Sequence, residues 1–191
     1  MKHFLQMGSG LDVGPLALEL QRQPELWNRN PIRLLPTGPH YETDDIWLRY
    51  KDEAENIASG NWSNFGDLHY PIWYPAYYAL PSSRRFIFDL MTRVEGESLG
   101  GILIYRVPPG AKIHEHTDTG WHAETHDKFN ITIASNPRAA LVWPKDNEVC
   151  VARPGDVHWF RNTVPHAVLN EGDTDHIVMV ISIITHKFKG H

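Results

Sequence analysis

Apolar residues in the second half of the chain come in short runs separated by clusters of Pro, Gly, Asn and Asp. Runs of this length, with turn residues about every 8–12 positions, are typical of a β-sandwich or a barrel. We therefore expect a mainly β fold, a double-stranded β-helix or jelly roll, in which inward side chains of several strands reach one cavity. The predicted strands are 102–107, 112–117, 129–134, 139–143, 148–153, 156–161, 166–170 and 176–184.

The N-terminal half has a mixed pattern, with two flanking helices. A helix is predicted over 15–23, and a second one after Ser82, which we expect to cap it. Residues 46–50 alternate like a strand, whereas 51–81 are rich in aromatic residues, Pro and Gly and are predicted to form a long ordered loop. Both helices are predicted to pack outside one sheet. The second helix carries one apolar stripe that we expect to face the core: Phe86, Ile87, Leu90, Met91 and Val94.

Length and charge narrow the class of protein. The 191 residues, 41% of them hydrophobic, suit one domain over 1–191, with helices, edge strands and the aromatic loop in 1–99 and the jelly-roll core in 100–186. A net charge of -5 without a basic block argues against nucleic-acid binding. No apolar run reaches the ~18 residues of a membrane span. Cys150 is the single cysteine, which indicates a reducing compartment, and a cytoplasmic location is expected.

Three residues form a candidate metal site. His116 and Asp118 are two positions apart at the end of a predicted strand, so their side chains face the same side. His166 begins a later predicted strand. Two imidazoles and one carboxylate are the ligand set of non-haem Fe(II) sites with open coordination positions. The competing interpretation is a surface His–Asp pair, with His166 hydrogen-bonded in a turn.

The surroundings of these residues carry a family resemblance. The segment 108–118 reads Pro-Pro-Gly-x-x-Ile-x-x-His-x-Asp, and 154–162 reads Pro-Gly-Asp-x-x-x-Phe-x-Asn. Asn-Pro stands at 136–137, and 166–173 reads His-Ala-Val-x-Asn-Glu-Gly-Asp. With these motifs the stretch 100–184 resembles the aspartyl/asparaginyl β-hydroxylase-like branch of the Fe(II)- and 2-oxoglutarate-dependent dioxygenases.

The resemblance implies a cupin-like jelly roll with Fe(II) held by His116, Asp118 and His166. It implies 2-oxoglutarate as the co-substrate, chelating the metal through its 2-oxo and C1-carboxylate oxygens. The implied reaction is hydroxylation of an unactivated C–H bond. The substrate would be a small-molecule amino acid or the side chain of a peptide or protein.

The sequence departs from the family at the co-substrate site. The family places an Arg ten residues after the second His, and here that position is His176. An imidazole lacks the permanent charge and the two-pronged donors of a guanidinium. We still expect His176 to donate one hydrogen bond at the co-substrate site, with Tyr105 one strand away as its partner. The alignment places Tyr105 where the family has a hydroxyl for the far carboxylate, and Lys128 is a candidate replacement cation. A family Arg and His are replaced by Asn130 and Thr132, which we expect to line the cavity.

Two other metal sets stay open. His114, His116 and His158 would form a metallo-cupin site, in an enzyme or a ligand-binding protein that does not use 2-oxoglutarate. A non-catalytic jelly-roll protein that kept only the metal ligands is a further alternative. His122 and His126 are four positions apart, which permits a local zinc site on a helical turn, although a solvated loop is the expected state.

Overall fold

The computed structural model describes residues 2–34, 38–63, 65 and 68–186. Eleven strands are found in this part of the chain. They are β1 (Phe4–Gly8), β2 (Asp44–Tyr50), β3 (Ile72–Trp73), β4 (Ser98–Val107), β5 (Lys112–His116), β6 (Asp127–Ala134), β7 (Ala139–Trp143), β8 (Glu148–Cys150), β9 (Val157–Phe160), β10 (His166–Asn170) and β11 (His176–Ile184).

The strands form two antiparallel sheets. The larger sheet has seven strands in the order β1-β9-β6-β11-β4-β2-β3, and the smaller has four in the order β5-β10-β7-β8. Apart from the hairpin β7–β8 within the smaller sheet, consecutive strands from β4 to β11 alternate between the two sheets, as in a jelly roll. The predicted mainly β jelly roll is therefore confirmed.

Strand alternation gives the larger sheet two different faces. On β6, Phe129 and Ile131 face the helices and join the outer core, which also holds Met179 and Ile181 of β11. The opposite face meets the smaller sheet, where Tyr105 and other apolar side chains form a second core. Because residues two apart on a strand share a face, the inward positions of β4, β6 and β11 lie beside one another.

The helices are α1 (Gly14–Arg22), α2 (Ala54–Ser59), α3 (Pro75–Ala79), α4 (Ser83–Arg93) and α5 (Trp121–Thr125), with 3-10 helices at Pro24–Leu26, Pro31–Leu34 and Pro144–Asp146. Leu16 of α1 and Ile87 of α4 are fully buried in the outer core, so both predicted helices pack outside the larger sheet as expected. Ser82 is the N-cap residue of α4 as predicted, but its side chain makes no capping bond, because its hydroxyl donates to Glu19 over 2.7 Å. None of the helices in the described ranges is long and apolar enough to cross a membrane.

The aromatic segment 51–81 is not one long loop, because it contains α2, β3 and α3. The two-residue strand β3 pairs with the end of β2, Tyr50 opposite Ile72. Strand β1 was also not predicted; it pairs with β9 at the edge of the larger sheet. Both strands are short and lie at an edge, so they carry little alternation for a sequence pattern to show.

The motif residue Asn170 joins several segments at the end of β10. It is 1% exposed, and its Nδ2 donates to the carbonyls of Val107 (2.8 Å) and Thr174 (2.9 Å). Its Oδ1 accepts from Nδ2 of Asn136 over 3.0 Å. A Cβ on Gly172 would lie 2.0 Å from Oδ1 of Asn136, so this turn requires glycine. Two of the motifs that carried the resemblance therefore meet in one structural junction.

Candidate metal centre

The structure brings His116, Asp118 and His166 together. His116 ends β5 and lies opposite His166, the first residue of β10, with ring centroids 4.4 Å apart. Asp118 follows β5, and its backbone N–H donates to the carbonyl of Asn162 over 3.0 Å. One ligand atom from each of the three residues lies within 4.8 Å of the others, which is a spacing that one ion can span.

Backbone carbonyls fix the tautomers of both imidazoles. Nδ1 of His116 is 2.7 Å from the carbonyl of His114, and Nδ1 of His166 is 2.9 Å from the carbonyl of Val164. A carbonyl oxygen only accepts, so each Nδ1 carries the proton and each Nε2 keeps its lone pair. Burial lowers the pKa of His116, and lowers that of His166 to about 4. Both rings are therefore neutral near pH 7, as metal ligation requires.

The two oxygens of Asp118 have different surroundings. Oδ2 accepts from Nζ of Lys128 over 2.5 Å and from Nδ2 of Asn162 over 3.1 Å. Oδ1 lies 3.6 Å from Nε2 of His116. Burial opposes ionisation of Asp118, but the ammonium of Lys128 outweighs it and holds the pKa below its ordinary value. The carboxylate is thus charged, and Oδ1 is the oxygen left for an ion.

A cavity of about 280 Å³ lies between the sheets at these residues. Apolar side chains from both sheets line part of it, among them Leu141, Phe160 and Val168. Another part of the wall comes from residues that precede the predicted jelly-roll core: Ile32, Arg33, His40, Trp47, Tyr50 and Phe65. The cavity is small enough that a bound small molecule would contact both walls.

The four predicted co-substrate residues divide into two pairs. Tyr105 and Asn130 line the cavity, and Oδ1 of Asn130 is buried without a hydrogen-bond partner. Of the described residues, Thr132 and His176 are not in the cavity wall; both are buried behind it. Nδ1 of His176 lies 3.0 Å from the hydroxyl of Ser135, and its ring centroid is 6.3 Å from that of Tyr105.

The metallo-cupin set is not brought together. Nε2 of His114 lies 2.6 Å from Oε1 of Glu42, and its ring stacks on Tyr41 at 4.7 Å. His158 packs edge-on against Phe4. Within the described ranges neither His joins a cluster of metal-ligating atoms, so the set His114, His116 and His158 is wrong.

The structure supports neither prediction made for His122 and His126, a local zinc site or a solvated loop. His122 lies on α5 and His126 directly after it, both rings are buried, and they stack at 4.3 Å with an interplanar angle of 16°. Nε2 of His122 accepts from the backbone N–H of Gly101 over 3.0 Å. A Cβ on Gly100 would lie 2.4 Å from the ring of His126, so the glycine pair makes room for the stack. In the described part of the chain these rings join no third ligand in a metal cluster.

Sequence reasoning missed Arg33 and His40. The segment that holds His40 runs along the free edge of β5: the backbone N–H of His114 donates to the carbonyl of Pro39 over 2.9 Å. Glu42 adds its bond to the side chain of His114. No motif marks Arg33 or His40, because only tertiary docking places them at the cavity.

Comparison with known proteins shows a shared fold and nothing finer. No family model matches the chain, and no curated protein matches it. A 2OG-Fe(II) oxygenase family oxidoreductase from Burkholderia pseudomallei matches with a TM-score of 0.56 and 16% identity, over 89% of this chain and 79% of that one. A Pseudomonas putida prolyl-4-hydroxylase matches with a TM-score of 0.53 and 16% identity, over 96% and 93%. The viral collagen prolyl hydroxylase of Paramecium Bursaria Chlorella virus-1, in its 2OG complex, matches with 0.53 and 12% identity, over 97% of both chains.

The chain has the fold of these oxygenases. Their likeness extends over nearly the whole chain, including the N-terminal half that supplies Arg33 and His40 to the cavity. It does not reach the aspartyl/asparaginyl branch, which none of the three represents.

Proposed function

We propose that the protein is an Fe(II)- and 2-oxoglutarate-dependent oxygenase that hydroxylates a C–H bond. The observation that carries this proposal is the convergence of His116, Asp118 and His166 at a cavity in an oxygenase fold. The sequence motifs favour the aspartyl/asparaginyl hydroxylase-like branch. Its substrate would be an amino acid or the side chain of a peptide or protein.

The residues fit Fe(II) by their donor chemistry. Nε2 of each imidazole has a free lone pair, Oδ1 of Asp118 is charged, and three ligands on one side leave positions open. When bound, the iron with its co-substrate supplies the oxygen activation needed for hydroxylation. The protein's part is to hold these ligands in place, through Lys128 and Asn162 on Asp118.

The cavity wall suits an anionic co-substrate. Tyr105 and Asn130 offer polar groups there, and Lys128 and Arg33 are its cations among the described residues. The lining has one described carboxylate, Asp118, and Lys128 already neutralises it. Adding a divalent cation leaves the site positive, which favours the dianion 2-oxoglutarate. We propose that His176 and Thr132 act from behind the wall, His176 by orienting the ring of Tyr105.

The apolar wall between the sheets serves the reaction by limiting water. Leu141, Phe160 and Val168 give the ligand atoms a low-dielectric surrounding, which strengthens the interactions of the ion with its anionic partners. A one-domain organisation over 1–191 and a cytoplasmic location stay predictions from the sequence.

The test is anaerobic addition of Fe(II) and 2-oxoglutarate to the protein, followed by air. We expect a weak visible charge-transfer band and then formation of succinate from 2-oxoglutarate. His166→Ala serves as the matched control and should give neither signal. If Mn(II) binds but 2-oxoglutarate gives no band, the protein is a metal-binding jelly-roll protein without this co-substrate, and the proposal is wrong.

A further inference from the structure

Arg33 is held at the cavity by a buried carboxylate. Its side chain is 24% exposed, and its Nε lies 3.6 Å from Oδ2 of Asp45 on β2. Asp45 is 2% exposed, and neither of its carboxylate oxygens has a hydrogen-bond partner. The ion pair therefore fixes the guanidinium from one side, while Arg33 also forms part of the cavity wall.

His40 connects this guanidinium to the candidate metal site. Nη2 of Arg33 lies 3.0 Å from a ring nitrogen of His40, and the His40 ring is 5.1 Å from that of His116. An imidazole is either neutral or positively charged, so His40 cannot compensate the positive charge of Arg33.

The cavity lacks a negative partner for Arg33 on its own side. Asp118 is the one carboxylate among its described lining residues, and it is paired with Lys128. Asp45 stands behind the guanidinium and does not line the cavity. Arg33 thus lines the cavity with no carboxylate partner among the described lining residues, and a planar guanidinium matches the geometry of a carboxylate.

The neighbouring wall is aromatic. Trp47 packs on Tyr50 with ring centroids 5.1 Å apart, and Tyr50 on Phe65 at 5.6 Å. All three side chains line the same cavity as Arg33. An acid that binds there would contact an apolar surface with the rest of its carbon skeleton.

We infer that Arg33, held by Asp45, forms a carboxylate-binding subsite beside the candidate metal site, which takes an organic acid with an apolar or aromatic body. The role of this subsite in binding a substrate rests on the proposed oxygenase function, whereas the binding of an organic acid at Arg33 does not. The same carboxylate chemistry can come from two sources, the primary substrate or the far end of 2-oxoglutarate.

The test uses two pairs of probes, measured by calorimetry with the metal-free and the Mn(II)-loaded protein. The first pair is 3-phenylpropionate and its neutral amide, and the second is 2-oxoglutarate and 2-oxopentanoate, which lacks the far carboxylate. We expect the wild type to prefer at least one acid by about tenfold or more, the size of a charge-assisted hydrogen bond. Arg33→Gln should abolish that preference, and Arg33→Lys should retain part of it.

The two pairs of probes distinguish the possible sources of the carboxylate. Loss of the phenylpropionate preference alone makes Arg33 a substrate-binding residue, and loss of the 2-oxoglutarate preference alone makes it a co-substrate anchor. If both preferences survive Arg33→Gln, or the wild type shows none, the inference is overturned. Arg138→Gln removes an exposed arginine and should change neither preference.

A measurement on the wild type covers the case in which Arg33 variants do not fold. Phenylglyoxal modifies accessible arginines, and mass spectrometry locates each adduct. Saturating acid probe should slow modification of Arg33 and leave Arg138 unaffected; equal rates at Arg33 with and without probe contradict the subsite. If acid binding depends on Arg33 but no succinate forms, the oxygenase function is rejected and the subsite stands. If succinate forms but acid binding does not depend on Arg33, the subsite is rejected and the oxygenase function stands.

Discussion

The ammonium of Lys128 donates to Oδ2 of Asp118 over 2.5 Å, on the side of the carboxylate that faces away from His116. Lys128 lies on β6 of the larger sheet, whereas Asp118 follows β5 of the smaller one. The pair therefore joins the two sheets at the candidate metal site. In the metal-free protein Lys128 acts as the counter-ion of a buried carboxylate.

Replacing Lys128 should destabilise the metal-free protein. Lys128→Met leaves Asp118 charged, with Asn162 as its remaining donor, and we expect a loss on the order of 1–3 kcal/mol in the free energy of unfolding. Mn(II) should restore more stability to this variant than to the wild type, because the ion replaces the missing positive charge. Thermal unfolding with and without Mn(II) measures both effects, and Lys145→Met at an exposed position is the control. An equal Mn(II) shift in variant and wild type would contradict this role.

Metal affinity should depend on the three candidate ligand residues and not on His158. His116→Ala, Asp118→Ala and His166→Ala each remove one ligand, and we expect Mn(II) affinity to fall by about 100-fold or more. His158→Ala should leave it within about threefold, since His158 packs on Phe4 away from the cluster. Titration calorimetry at fixed pH measures the affinities. A collapse in His158→Ala would revive the metallo-cupin set.

Acid should destabilise the fold through His176. Burial lowers its pKa from 6.5 to about 4, so the unfolded chain takes up a proton before the folded one does. Stability from this group is thus complete above about pH 6.5 and is lost as the pH falls towards 4, by about 3 kcal/mol in all.

His176→Gln keeps a polar group near Ser135 without a titrating ring. Urea unfolding between pH 4 and 7 should therefore give a flatter dependence on pH for the variant than for the wild type. Other buried histidines with lowered pKa values, among them His122 and His166, contribute to the slope that remains. Parallel curves for variant and wild type would contradict the lowered pKa of His176, because a group with the same pKa in both states adds no pH dependence.

The junction at the end of β10 should be sensitive to small changes. Asn170→Ala removes the partner of two backbone carbonyls and of Asn136, and we expect a loss of about 2–4 kcal/mol. Gly172→Ala should also destabilise, since its Cβ would meet Asn136. The control is Glu171→Ala, which lies between them with an exposed side chain and should change stability by less than about 0.5 kcal/mol. A mild effect of Asn170→Ala would mean that water replaces the lost bonds.

The strands of the jelly roll were predictable because each is bounded by turn residues and has one apolar face. The predicted runs 139–143, 166–170 and 176–184 agree with β7, β10 and β11 at both ends. The convergence of His116, Asp118 and His166 followed from strand parity combined with the motifs. Here local pattern and tertiary structure agree, since these ligands lie at or next to the ends of regular strands.

The N-terminal wall of the cavity was not predictable in the same way. Arg33 lies on a one-turn 3-10 helix, and His40 in a segment without regular structure, so periodicity says nothing of their neighbours. The stack of His122 on His126 depends on the absence of side chains at Gly100 and Gly101, about twenty positions earlier. Such close approaches between distant segments are set by packing, which a single sequence does not display.

The covering of the β5 edge by the segment around Glu42 has a consequence for folding. Glu42 and His114 are 72 positions apart, so this contact closes a very long loop and is expected to form late. Until then the chain exposes an unpaired strand edge, to which a strand of a second molecule can add. Chains arrested at this stage during synthesis or heating would therefore associate through β5. The segment around Glu42, which brings His40 to the cavity, thus also protects the folded chain from aggregation.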